Sequence, residues 1–504
     1  MSTSIWFIFS TCTSMGVFDV EFLTLLLSSF VIQRIDPVIN LCRRLLSGLH
    51  IYLHPPNEYL EDAIKPLPKN CEDKDAAMNE QIREVPHKVD ALLKLGERDM
   101  DDYYLSKLQY YDYFWCLVYL LGINVIVMAV VCIRTFIFGY SSSHLYMYSL
   151  LLLCGFSLMI LWHHIQESSK QSDEWLLLFF YFVFAFIYAL CLLCLPSFVL
   201  SVSFQDLLAQ IHSHISSLLS QLGIHSFFSI PSSLLAVIFA FLLALIPPLL
   251  VESAFRFAQL ELRKGWSVFG ILASHLPLVI LLFSIPGLTL TRYEGKMIHG
   301  VLIDSGLYWT IRVALTFLWC LCRIIEFRPL LQTYLNGGCS SVVREAIETS
   351  MIESIRASRY KPGTKPAPPK FPSGMYQIPK YICIVALQLM IPVVIVVSLV
   401  VMSIGVEREE GVTDWILHRL HSFGLPLYDT VPQKSGLIQM CQSYVKTMIP
   451  NLDLNSLHIL SGVDIFGVLN FLFVFVLSSY YFLQIIGHLY WRTNLNATAA
   501  NSKQ

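Results

Sequence analysis

Long apolar runs constrain this chain more than any other feature. Nine stretches, approximately 16–33, 113–137, 145–162, 175–200, 232–251, 266–290, 305–324, 381–404 and 465–490, have the about 18–26 residues that a hydrocarbon core of roughly 30 Å demands of a helix. Within a bilayer every backbone N–H and C=O must be met by the chain itself, so such segments fold as helices. The expected fold is therefore all-α, a polytopic transmembrane helix bundle of about eight or nine spans. The first span is the weakest, because Asp19 and Glu21 interrupt it after a separate apolar run at 5–18, which suits an anchor, an interfacial segment or a cleaved targeting signal. Composition agrees, with 55% hydrophobic and 14% charged residues against roughly 45–50% apolar in soluble domains. A formal net charge of -2 argues against nucleic acid and acidic substrates as partners. The partner that composition names is the lipid bilayer.

The position of the charges says more than their sum. If all nine stretches cross, the loops 34–112, 163–174, 252–265 and 325–380 together with the tail hold 25 Lys and Arg, and the opposite side holds 6. The positive-inside rule then places the C-terminus in the cytoplasm and the N-terminus outside or in a lumen, in the plasma membrane or an endomembrane. The chain divides into a first apolar segment (1–33), a cytoplasmic loop with a membrane-proximal helix (34–112) and a helix-bundle core (113–336). A basic Pro-rich cytoplasmic loop (337–380), the last two spans (381–490) around an external loop (405–464), and a tail (491–504) complete it. At 204–222, apolar residues such as Phe204, Leu208, Ile211 and Ile215 alternate at helical spacing with Gln and Ser. That pattern predicts an amphipathic helix on the external surface, with His212, His214 and His225 nearby.

Arg312 stands well inside an apolar run, and an ionisable group there is a functional question. Arg312, Thr316, Trp319, Arg323 and Glu326 recur at alternating steps of four and three, one helical face that should look into the bundle. Arg323 and Glu326 are spaced to pair, as are Glu252 and Arg256. Gln388 sits in another span, where an amide seeks a partner helix. The expectation is a buried polar network of Arg312, Arg323, Glu326, Glu252, Arg256 and Gln388. Pro247 and Pro248 should break the helix locally.

Motifs with fixed catalytic spacing are absent: no Walker loop, no HExxH and no GxSxG occur. His163-His164 and His212-x-His214 place adjacent imidazoles on different helix faces, poor geometry for a metal. The 13 cysteines lie mostly in apolar runs and suggest no disulfide framework; Cys191-x-x-Cys194 is expected to be buried packing. No catalytic, cofactor-binding or metal-ligating residue is assigned, and no cofactor is expected.

Several blocks resemble the transmembrane protein 161 family. MGVFDVEFLTLLLSSFVIQRIDP at 15–37 and LCRRLLSGLHIYLHP at 41–55 look like its N-terminal region. FRFAQLELRK at 255–264, LCRIIEFRPLLQTYLN at 321–336 and YICIVALQLMIP at 381–392 are similar to its internal blocks. Matched positions include Arg256, Gln259, Arg323, Arg328, Gln332, Tyr334, Asn336, Gln388 and Pro392. Asp19 and Glu21 depart from the pattern, and Met15 stands where the family usually starts. The resemblance implies a multi-pass, non-enzymatic protein linked to excitability through potassium and calcium currents, with ion-channel subunits as partners, and in part to oxidative-stress responses. The residues alone leave a second reading open, a transporter or pore that moves a small solute past Arg312 and the Pro247-Pro248 break.

Overall fold

Apolar segments with their hydrogen bonds closed internally form nearly all of the described chain. A computed structural model describes residues 20–52, 74–95, 97–100, 108–138, 145–168, 175–194, 232–265, 267–284, 297–298, 301–302, 305–337, 341–358, 378–406 and 462–501. The helices are α1 (Val20–Ile39), α2 (Leu41–Leu46), α3 (Lys74–Leu95), α4 (Tyr111–Phe138), α5 (Leu145–Ser168), α6 (Trp175–Leu193), α7 (Ser232–Ala244) and α8 (Ile246–Lys264). They continue as α9 (Val268–Phe283), α10 (Ser305–Leu335), α11 (Ser341–Ser358), α12 (Ile382–Val406) and α13 (Gly462–Asn501). Two short antiparallel ladders accompany them, β1 (His50–Tyr52) with β2 (Glu97–Asp99) and β3 (Met297–Ile298) with β4 (Val301–Leu302). The predicted amphipathic helix at 204–222, its histidines, the Pro-rich run 359–377 and most of the 405–464 loop lie outside the described residues.

Among the described residues, six helical segments are long and apolar enough to cross a membrane: Tyr111–Val130, Ser149–Gln166, Leu176–Leu193, Ala236–Lys264, Ile382–Ser403 and Gly467–Asn494. This is fewer than the eight or nine expected. The apolar α9 has only 16 residues, and α10 carries Arg312, Arg323, Glu326 and Arg328 within its length; α1 is also not among the six. The spanning window of α12 is 83% buried and that of α6 only 22%, so α12 is the central helix and α6 a rim helix. That position corrects the expectation for Cys191 and Cys194: both are exposed, Cys191 on α6 and Cys194 just past its end.

Local signals explain the joints. Asn40 takes φ 47 between α1 and α2, a left-handed turn that Asn tolerates better than most residues. The Nε1–H of Trp115 on α4 donates to Asp36 at 2.7 Å and fixes that corner. The chain stops and restarts at Leu245, just before Pro247 and Pro248, with the proline at the start of α8, where a missing N–H costs least. Between α8 and α9, Gly265 adopts φ 87 and its N–H caps Glu261 O at 3.1 Å, while the Ser267 hydroxyl accepts from Gly270 N at 3.0 Å as the N-cap of α9.

The contacts collect particular helix ends at one end of the bundle. The Gln332 amide near the end of α10 accepts from His50 N at 2.9 Å and donates to His50 O at 3.1 Å. Arg328 donates to the Arg44 carbonyl, and Gln109 N reaches Lys380 O at 3.0 Å, just before α12. The end of α5 meets α8 through His164 and Glu252, and the end of α8 meets α13 through Glu261 and His488. At the same end α3 and α11 form a separate small core from Val85, Val89, Leu92, Val343, Ile347, Met351 and Ile355. Arg344 and Asp90 close its edge at 2.7 Å.

Candidate functional site

The predicted face of α10 is turned into the protein. Arg312, Thr316, Trp319, Arg323 and Glu326 are 4%, 1%, 0%, 6% and 3% exposed, as a 3.6-residue period requires of one helical stripe. Their partners come mostly from α8, α9 and α13.

Going toward the Gln332 end, the contacts form successive layers. Arg312 donates from Nη1 to Asn470 Oδ1 at 2.5 Å and lies 5.1 Å from the centre of the Phe473 ring. Thr316 turns its hydroxyl back to the Arg312 carbonyl, and Trp319 Nε1–H donates to Ala273 O at 2.9 Å, tying α10 to α9. Arg323 donates from Nη2 to the Tyr480 hydroxyl at 2.8 Å and to Gln484 Oε1 at 3.4 Å. Its guanidinium stacks 3.4 Å from the centre of the Phe257 ring, with Trp319 and Tyr480 at 5.3 and 5.4 Å. Among the described residues no carboxylate forms a salt bridge with it. A weakly hydrated guanidinium suits such a setting, because its planar face accepts π density while its edge donates hydrogen bonds.

Carboxylates occupy the final layers. Glu326 bonds Lys264 and the Ser267 hydroxyl, the latter at 2.8 Å. Glu261 accepts from Ser274 and meets His488 Nε2 at 2.9 Å. Glu252 meets the Gln388 amide at 2.9 Å and His164 Nε2 at 2.9 Å. Every one of these three acids is thus engaged by a helix other than its own.

The six residues of the expected network fall into separate clusters. Gln388 and Glu252 come together, across α12 and α8. Glu326 turns to Lys264 and Ser267 in place of Arg323, because the α8–α9 junction brings a cation and a hydroxyl beside it while Arg323 points at Phe257 and α13. Glu252 likewise turns to α5 and α12, and Arg256 donates to Gln259 at 3.2 Å. Sequence reasoning missed Asn470, Tyr480, Gln484, His488, Glu261, Lys264 and the role of His164. Asn470, Gln484 and His488 are themselves polar groups in an apolar span, and that signal was available. Among the described residues no group of three or more His, Cys, Asp or Glu is placed to hold a metal ion.

Beside Arg323 a cleft of about 720 Å³ opens between α4, α5, α10 and α12, with an almost wholly apolar lining. Arg312 is not among its lining residues.

Apolar helices facing outward, with charges turned inward and held between helices, define an α-helical integral membrane protein of several spans. The chain matches the family described as "Predicted transmembrane protein 161AB" over residues 16–495, and it belongs to that family. No solved structure matches it.

Proposed function

We propose that this protein modulates potassium and calcium currents by binding channel subunits within the membrane or affecting their handling, without catalysis and without conducting ions itself. The observation that carries this reading is the fixed engagement of the inward charges. Arg312, Arg323, Glu326, Glu261 and Glu252 are each held by side chains of neighbouring helices, and the neighbouring cleft has an almost wholly apolar lining. A conduction path would instead line polar groups along water.

In this reading α1, α9 and α10 cross together with the six longer apolar segments, giving nine crossings. The end that gathers Gln332, Arg328, Lys264 and Lys380 faces the cytoplasm. Support comes from the agreement between the 25-to-6 distribution of Lys and Arg and the helix ends that the contacts bring together. The membrane is the plasma membrane or an endomembrane.

The test uses purified full-length protein in liposomes, and cells expressing it with channel subunits. Absence of potassium and calcium flux together with recovery of channel subunits by in-membrane crosslinking is expected. A flux abolished by Arg312→Gln at unchanged protein yield would instead make the protein a transporter or pore and refute the reading.

A further inference from the structure

The cleft between α4, α5, α10 and α12 has the dimensions and the charge of a lipid site. Leu45, Asn124, Leu153, Val394, Arg323 and Arg328 are among its lining residues. Along α12 it extends from Leu389 to Val401, about 18 Å at 1.5 Å per residue, close to the roughly 15 Å of one leaflet's hydrocarbon. Val125, Ile324 and Phe317 on its rim are 61%, 61% and 43% exposed, so it faces the surrounding bilayer.

Its length and lining select the occupant. An almost wholly apolar wall of one-leaflet length, open to the bilayer, matches a lipid acyl chain, and the cleft of about 720 Å³ gives that chain room. The charge selects the headgroup: exposed Arg328 stands at one end of the cleft and donates to the carbonyl of Arg44, whose own side chain is exposed on α2. Leu45 of the same helix forms part of the lining. Glu326, the acid closest in sequence to Arg328, is already bound by Lys264 and Ser267, and neither Arg328 nor Arg44 forms a salt bridge among the described residues. Deeper in, Arg323 lines the cleft with its buried Nε lacking a hydrogen-bond partner among the described residues.

We propose that this cleft binds an acyl chain of a membrane glycerophospholipid whose anionic headgroup is held by Arg328 and Arg44. The site rests on the bundle crossing a bilayer and not on current modulation, so either can fail alone.

The experiment reconstitutes the full-length protein into vesicles of equal phosphatidylcholine and phosphatidylserine, extracts it in mild detergent and measures retained lipid by native mass spectrometry. Phosphatidylserine is expected to be retained preferentially. The double variant Arg44→Gln with Arg328→Gln should lower that preference roughly 30-fold, the equivalent of about 2 kcal/mol for two basic residues near an anionic surface. Val394→Trp, which places a bulky ring on the cleft wall, should reduce retained lipid of both kinds while thermal unfolding shows a folded protein. If Val394→Trp does not fold, the double variant decides. Equal retention of the two lipids, a preference unchanged in the double variant, or a cleft with no retained lipid would each overturn the proposal.

Discussion

Arg323 allows the most searching test of how a cation is kept inside this bundle. Tyr480→Phe removes a single hydroxyl, the acceptor 2.8 Å from Nη2, and leaves the ring that packs beside the guanidinium. The remaining acceptor, Gln484, is at 3.4 Å, too long to compensate fully. A hydrogen bond to a charged group contributes about 1.5–3 kcal/mol in soluble proteins, whereas intramembrane hydrogen bonds average about 0.6 and reach about 1.7. Burial of both partners, at 6% and 1% exposure, puts the expected loss at about 1–2 kcal/mol, the upper part of the membrane range. The assay is a double-mutant cycle with Arg323→Met, read by reversible unfolding in mixed micelles. Tyr480→Phe should cost little once the cation is gone, giving a coupling of about 1–2 kcal/mol. A coupling indistinguishable from zero would refute the assignment of Tyr480 as the group that holds Arg323.

Other outcomes follow from the same contacts. Phe257→Leu removes the π face 3.4 Å from the Arg323 guanidinium and should cost about 2 kcal/mol in the same unfolding assay; no loss would deny the stacking a role. Lys264→Met strips a buried Glu326 of its cation and should destabilise by about 3–5 kcal/mol, with Lys264→Met/Glu326→Gln recovering much of it; a double variant no better than the single would contradict the pairing. A side chain at Gly487 would meet Phe255 Cα at 3.2 Å and Ala258 Cβ at 3.1 Å, so Gly487→Val should separate α8 from α13 and cost about 1–3 kcal/mol, seen as reduced folded yield in detergent. Gln332→Ala deletes both bonds to His50 and should loosen β1 by about 1–2 kcal/mol, measured as faster amide exchange at 50–52.

The helical character and the inward face of α10 were legible because both are periodic properties of a local stretch. Arg312, Thr316, Trp319, Arg323 and Glu326 needed only the 3.6-residue repeat. Partners were not legible, since Asn470 lies 158 residues from Arg312 and Tyr480 lies 157 from Arg323. Local pairing rules chose Arg323–Glu326 and Glu252–Arg256, the contacts available to an isolated helix, and the tertiary fold offered other ones: from α8 and α13 to α10, and from α5 and α12 to Glu252. Cys191 and Cys194 failed for a related reason: an apolar span facing lipid and one facing the core have similar composition, because lipid and protein interior are both apolar.

Thr316 offers the most direct measurement, lying 1% exposed between Arg312 and Trp319 on the face whose sealing underlies the whole account. Thr316→Cys in the full-length protein, in membranes, is treated with a water-soluble, membrane-impermeant methanethiosulfonate and read by peptide-level mass spectrometry. The account predicts no modification of residue 316 in the folded protein from either side of the membrane and full modification after unfolding in detergent. Modification in the folded protein would mean that water reaches this face, and the charges of α10 would then line a path instead of holding helices together.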